Sequence, residues 1–350
     1  MGTGRRLADV AKFEGILTDC RYFKGFKPCW PHKKFGQRCL GCKHYRPTRT
    51  RVLLIKLAAM GDVVRTASLL GPIRAKYGSD CHITWLTSDE GFQILRRIKG
   101  IDKLIPYNWK SQVSIMVMKF QAVICLDKEP ESTAIAVAVE AEERYGFGMD
   151  QYGNTAAMSD SAREAFQLGI DDEAKRLSCL TYQQLCAKMI GVEEPDDYPF
   201  FTGFKAKEEI GKVGLNYMAG DRFFKKWKGW EKLAELLKER GYKPEMQEQR
   251  RSIMDYVGWV ASCSCVVTMD SFGMHLGIAL RRRVVTIFGS TPADDIDMYG
   301  RGVKLVPDSD CLGCYRKKCF RDTPCYELIT PEQVADAVVE IMEGVPCTAE

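Results

Sequence analysis

RVLLIKLAAMGDVVRT, residues 51–66, runs from an apolar stretch, Val52 to Ile55, through Gly61-Asp62 into a helical pattern. The change of period marks a strand-to-helix corner with a carboxylate on it. In an open α/β sheet, ligands bind in the crevice beyond the carboxyl ends of the strands, so Asp62 is expected to face that crevice. A second corner lies in VVTMDSFGMHLGIALRRRVVTIFGST, residues 266–291, where the strand Val266 to Met269 meets a helix opening at Asp270-Ser271-Phe272-Gly273. Two such corners predict two Rossmann-like halves facing one cleft.

At 350 residues and 45% hydrophobic content the chain exceeds one ordinary core and is expected to divide into about two domains. No stretch approaches the roughly 18 apolar residues that a membrane span needs. The opening MGTGRRLADVAKF lacks the apolar centre of a secretory signal, and Arg6 stands where a myristoylation motif wants Ser or Thr. A cytoplasmic protein is the expectation. The net charge of +5 is unevenly spread, since residues 1–51 carry +10 and the remainder −5. Such a basic segment attracts phosphate, anionic lipid heads or nucleic acid, or is simply a solvated arm.

Outward from the first corner, the pattern predicts a helix from Val64 to Tyr77, strands at His82 to Leu86 and Ala122 to Leu126, a mostly polar loop-and-helix stretch over 140–190, and a helix from Tyr182 to Ile190. Pro195 and Pro199 mark the approach to a linker. A second half follows, with strands at Val213 to Asn216 and Val284 to Phe288 and an amphipathic helix from Trp230 to Arg240 stopped by Gly241. Thr330-Pro331-Glu332-Gln333 combines an N-cap, a proline at the first helical position and a capping-box partner, which predicts a closing helix from Glu332 to Met342. The expected units are 1–50, a basic cysteine-rich module with a short helix near its start; 51–205, an acceptor domain; 206–330, a donor domain; and 331–350, a closing helix and tail.

The runs Lys56-Leu57-x-x-x-Gly61-Asp62-Val63, Asp270-Ser271-x-Gly273-Met274-His275-Leu276 and Phe288-Gly289-x-Thr291 resemble glycosyltransferase family 9, the ADP-heptose heptosyltransferases. The resemblance covers roughly residues 51–345. It implies the GT-B arrangement of two facing Rossmann-like domains and an inverting transfer of heptose or a related sugar from a nucleotide diphosphate, with ADP-heptose the expected donor. The acceptor it implies is a lipopolysaccharide-core or other glycan hydroxyl, with a protein Ser/Thr as a documented variation. Asp62 is then the base, although Asp is also a favoured N-cap residue. Asp270 matches the sugar-contacting aspartate, and Ser271, Phe272 and Gly273 open a helix whose N–H groups suit a departing diphosphate. Gly273 either lets a phosphate approach the backbone or serves packing. Lys225-Lys226-Trp227 resembles the family's Lys-x-Trp, with Lys225 at the matching position and Lys226 beside it as phosphate ligands. Lys56 and Arg65 are candidates for contact with an anionic acceptor, whereas His275 reads as a packed, hydrogen-bonded residue. Between Gly241 and Ser264 the chain looks shortened relative to the family, leaving Glu245 or Glu248 as candidate ribose ligands.

Fifteen cysteines in a reduced compartment read better as metal sites than as disulfides. Cys311, Cys314, Cys319 and Cys325 are separated by two, four and five residues, compact enough to converge on zinc or iron. The resemblance agrees, since related autotransporter heptosyltransferases hold iron in such a segment. The resemblance also implies that the chemistry itself requires no cofactor. Cys20, Cys29, Cys39 and Cys42 are separated by eight, nine and two residues, with His32 and His44 as substitutes, in a segment too short to build much core. The leading expectation is a cytoplasmic transferase, peripheral at the inner membrane face if its acceptor is lipid-linked. Its rivals are transfer to an RNA, and a non-catalytic protein that docks nucleic acid, an anionic membrane or another partner through residues 1–50, whose Tyr22, Phe23, Phe26, Trp30, Phe35 and Tyr45 are stacking candidates.

Overall fold

The computed structural model describes residues 14–198, 201, 207–218, 227–316 and 319–344. Its first sheet contains β1 (Arg51–Ile55), β2 (His82–Thr87), β3 (Lys103–Pro106), β4 (Lys119–Cys125), β5 (Glu140–Met149) and β6 (Thr155–Ala157), in the order β3-β2-β1-β4-β5-β6. All pairings are parallel except the β5–β6 hairpin. The second sheet contains β7 (Lys212–Asn216), β8 (Lys243–Met246), β9 (Cys265–Met269), β10 (Arg283–Ile287) and β11 (Gly302–Leu305), in the order β11-β10-β9-β7-β8, all parallel. Leu215, Val267 and Val285 lie in one row across three of these strands. Strands covered by helices on both faces read as unbroken apolar runs, which is why β1 and β9 were legible.

The expected two facing halves are present. The helix Met60–Thr66 packs against the helix Phe272–Ala279, so the corner of each half meets the other's. One apolar cluster passes through both, with Val63 and Val64 on one side and Met274, Leu276 and Ile278 on the other. The approach to the linker also docks on the second half. Asp197 is paired with Arg281 and Arg301, and Arg281 donates to the Tyr198 carbonyl at 3.0 Å.

Several expectations shift. The first helix begins at Met60, not Val64, and a 3-10 turn, Ala67–Leu69, divides it from the helix Leu70–Tyr77. β1 ends at Ile55 as expected, and the Asp127 carboxylate accepts from the Leu57 and Ala58 N–H groups in the turn that follows. Residues 140–149 are a strand rather than polar loop and helix. The charges of Glu140-Ala141-Glu142-Glu143-Arg144 are accommodated because this strand lies near the sheet edge, where Glu143 accepts hydrogen bonds from Tyr77 and Gln121. The helix Tyr182–Ile190 is as expected, opened by a Thr181 and Gln184 capping box and closed by the left-handed Gly191. The segment expected to be shortened, 241–264, retains both β8 and the helix Ile253–Ser262.

The closing helix, Pro331–Glu343, has the predicted Thr330 and Gln333 capping box. It packs on the helix Trp230–Glu239 and on β10, with Arg240 paired to Asp336 at 2.7 Å, which makes it part of the second half's outer layer. The described part of the cysteine-rich module, 14–50, has one short helix, Trp30–Phe35, and a bridge between Cys20 and Pro47. The short helix expected near the start lies largely outside the described residues. Arg21 anchors the module: its guanidinium donates to the carbonyls of Asp80 and Cys81, at 2.8 and 2.9 Å, and pairs with Asp102 at 3.3 Å. Those residues immediately precede β2 and β3. The module therefore covers the amino ends of the first sheet's strands, the opposite end from Asp62.

Candidate active site

Asp62 lies in the first turn of the Met60–Thr66 helix, whose N-cap is Ala59. Asp62 is therefore not at the N-cap position, which belongs to Ala59 and carries no side-chain cap. The Asp62 side chain remains 29% exposed and is held by two cations. Arg65 donates to its Oδ1 from Nε at 3.0 Å and pairs through a second nitrogen at 2.9 Å, and Lys56 Nζ stands 3.4 Å from its Oδ2. Burial alone would push this carboxyl up, but Arg65, Lys56 and His275 outweigh it and hold it well below the usual carboxylate range.

The cations are themselves positioned by residues the sequence reading did not single out. Lys56 is buried and bonded to Asp127 at 2.7 Å, and Asp127 also accepts from Ser132 at 3.3 Å. Arg65 bridges the halves, since another of its nitrogens reaches Asp295 Oδ2 at 3.1 Å. Its guanidinium stacks 3.9 Å above the Tyr182 ring, and Tyr182 is fixed by Thr66, at 2.9 Å, and by the Asp295 carbonyl, which accepts from its N–H at 3.2 Å. Lys56 and Arg65 thus both turn charge on Asp62. Asp127 follows a strand's carboxyl end, so the corner argument that found Asp62 would also have found it. Asp295 sits in an acidic loop with no such signal.

The opposing corner is equally well determined. Ser271 precedes the helix Phe272–Ala279 but does not cap it; its hydroxyl is engaged with Thr268 at 3.0 Å and Asn216 at 3.1 Å. The side chain of Ser271 therefore leaves the helix's first N–H groups without an internal cap. Phe272 lies against Tyr256, with ring centroids 5.6 Å apart. The space on the Cβ side of Gly273 is taken by Asn216 and Tyr256, so a larger residue would not fit there. Asp270 is half-buried at the end of β9; burial pushes Asp295 and Tyr315 up, and the nearby Asp270 charge adds to both, so the three share one region. His275 is 5% exposed and hydrogen-bonded to the Tyr198 hydroxyl at 3.2 Å, the packed residue expected. Lys225 and Lys226 lie outside the described residues.

The corners touch at Gly61, where a Cβ would stand 2.4 Å from His275 Cδ2. Because Tyr198 fixes the histidine ring, Gly61→Ala is expected to force the helices apart and lower stability by about 1–3 kcal/mol, with a measurable loss of activity. Parallel urea melts and turnover assays check this.

The C-terminal cysteine segment borders the same crevice. Gly313 and Tyr315 N–H groups donate to the carbonyls of Gly289 and Ser290, both at 2.9 Å, which stitches the segment to the Phe288-Gly289-x-Thr291 run. Lys175 of the first half lies 4.2 Å from the Tyr315 ring centroid. Lys128, whose pKa burial and the charge of Lys175 push down to about 8, sits near Asp62 on the same half. Burial, with Cys311, Cys314 and Cys319 nearby, pushes the Cys325 thiol up. Among the described residues, however, no group of three or more His, Cys, Asp or Glu side chains is already arranged to hold a metal ion. Glu245 is committed to Lys212 at 2.7 Å and Arg250 at 3.2 Å, whereas Glu248 lines an open pocket beyond β8 with Arg250, Arg251 and Asp255. No described helix is long and apolar enough to cross a membrane.

Residues 251–323, which contain the second corner, match the family model for glycosyltransferase family 9 (heptosyltransferase). Over 113 residues the chain is 26% identical to lipooligosaccharide heptosyltransferase 2 of Campylobacter jejuni subsp. jejuni serotype O:2; this stretch is 31% of the chain and 35% of that protein. The chain thus spans about a third of the length of the curated relatives it matches. Its fold is similar to that of the E. coli heptosyltransferase WaaC solved with ADP-2-deoxy-2-fluoro heptose, at 18% identity and a TM-score of 0.55, covering 83% of this chain and 99% of that one. It is likewise similar to the family 9 glycosyltransferase of Veillonella parvula DSM 2008, at 16% identity and a TM-score of 0.64, covering 85% and 98%.

Proposed function

We propose that this chain, a glycosyltransferase family 9-like protein, transfers a heptose or related sugar from a nucleotide diphosphate, ADP-heptose by preference, to a hydroxyl of a lipopolysaccharide-core or other glycan acceptor. The observation that carries the reading is the Asp62 carboxylate, charged and partly open, facing a second corner whose helix start its own side chain leaves uncapped. WaaC was solved with an ADP-heptose analogue, and the likeness in fold lends that donor class to this chain. We assign residues 51–205 to the acceptor and 206–330 to the donor.

In this reading the acceptor hydroxyl donates to Asp62, which takes the proton as the oxygen attacks the anomeric carbon. The bond from that carbon to the diphosphate oxygen breaks on the opposite face, which inverts the configuration. The leaving diphosphate gathers negative charge, and the N–H groups at Ser271 to Gly273, with Lys225 and Lys226, stabilise it. Asp270 holds the sugar, and Glu248, free of the Glu245 ion pairs, holds the ribose. Lys128 and Lys175 give the acceptor side positive charge. Arg65 and Lys56 keep the base ionised between turnovers. The enzyme works in the cytoplasm, where nucleotide sugars are made. A structural zinc or iron on Cys311, Cys314, Cys319 and Cys325 would stiffen the segment that carries Tyr315 and would take no part in the displacement.

Isothermal titration with ADP, ADP-heptose, UDP and GDP tests the donor. The adenine diphosphates are expected to bind selectively, with affinity at least tenfold weaker in Lys225→Ala. Equal affinity for all four, or none, would count against an ADP-sugar enzyme.

A further inference from the structure

The catalytic reading leaves the four N-terminal cysteines without a task, and they are brought together from three separate places. Cys20 begins the bridge to Pro47, and Cys29 immediately precedes the Trp30–Phe35 helix. Cys39 and Cys42 flank a tight turn in which Gly41 is left-handed, φ 73°, and the Cys42 N–H donates to the Cys39 carbonyl at 3.2 Å. All four are free thiols, and all four line one small cavity, walled also by Leu17, Tyr22, Phe23 and Pro31. Neither histidine of the module lines it. His44 is stacked on Phe35, with centroids 4.7 Å apart, and His32 is exposed. The sequence left histidine open as a ligand; the fold selects sulfur alone.

We propose that Cys20, Cys29, Cys39 and Cys42 hold a single zinc-class ion as four thiolates. The cavity measures about 20 Å³, room for roughly one water-sized occupant, which suits a single ion. The four residues line the cavity without already forming a group arranged to hold an ion, so binding draws their side chains together and releases their protons to solvent. Four thiolates around a divalent ion carry a net charge of −2, and Lys24, Lys27, Lys33, Lys34, Arg38 and Lys43 are all exposed in the same module to balance it. Its apolar content is poorly used otherwise. Phe26, Trp30, Phe35 and Leu40 are 79, 50, 46 and 82% exposed, so the module lacks the burial to order itself and depends on a staple. Because Arg21 is held next to Cys20, ordering the module also fixes its anchor on the sheet.

The test uses the full chain carrying Cys311→Ser and Cys314→Ser, which removes the other thiol cluster. This protein is expected to bind one equivalent of zinc. With cobalt substituted it should show thiolate charge-transfer and tetrahedral d–d absorption. Adding Cys39→Ser and Cys42→Ser should abolish the bound equivalent. A parallel measurement on the unaltered chain avoids dependence on how the variants fold. Alkylation mapped by mass spectrometry should find Cys20, Cys29, Cys39 and Cys42 protected until a chelator is added, while the buried Cys125 and Cys265 stay unmodified throughout. Failure of the Cys311/Cys314 variant to retain any metal, an iron–sulfur chromophore, or alkylation of the four thiols at the same rate with and without chelator would each overturn the proposal. None of these readings depends on sugar transfer.

Discussion

Asp62→Asn is expected to lower kcat by about 10²- to 10⁴-fold while leaving ADP affinity within a factor of two. Asparagine keeps the size of the side chain and its hydrogen bonds from Arg65, so the helix and the contact between the corners persist. What disappears is the ability to take a proton from the acceptor hydroxyl. Initial-rate assays beside nucleotide titration separate the two effects. A variant that binds ADP normally and still transfers sugar at the original rate would remove Asp62 from the chemistry and return it to a structural role. Because Arg65 and Lys56 hold the carboxyl low, the unaltered protein should remain active as pH falls through the ordinary carboxylate range, losing activity only when Asp62 finally protonates.

Arg65→Gln gives the other large effect. Arg65 is buried between Asp62 and Asp295, and removing it leaves two carboxylates close together with their shared cation gone. Breaking a buried pair of this kind costs about 3–5 kcal/mol, and here the cost falls on the contact between the halves. The Asp62 pKa should rise, since the leading stabiliser of its charged form is lost, so the acid limb of the rate profile moves to higher pH. Arg65→Lys retains a charge but not the fork that reaches both carboxylates, and should fall between the two. Chemical denaturation and pH-rate profiles on all three proteins decide the matter: unchanged stability together with an unshifted acid limb would mean that the bridge contributes neither cohesion nor electrostatics.

The corners and the buried strands could be read in advance because each is encoded locally. Val52 to Ile55 is apolar throughout, Val266 to Met269 is apolar except for Thr268, and Thr330 to Gln333 writes its own helix start. The same reading placed Asp62 at the right corner but started the helix four residues late, and the Asp127 carboxylate that accepts from the turn between strand and helix lies about seventy residues away. The strand over 140–149 was hidden for a related reason. Its charged residues find partners on neighbouring elements, and no window of sequence contains those partners. The bridge from Arg65 to Asp295 spans 230 positions, and only the packing of the two halves brings it together. Glu245 and Glu248 were equivalent candidates until the partners of Glu245 were known.

The cysteine-rich module rests on the amino ends of the strands, and the crevice opens beyond their carboxyl ends. The molecule consequently has a direction. Any anionic surface that gripped Lys24, Lys27, Lys33, Lys34 and Lys43 would hold the protein by its heel, with its mouth turned toward solution. An acceptor embedded in that same surface would face the wrong end, whereas one carried on a long or soluble chain could reach in freely.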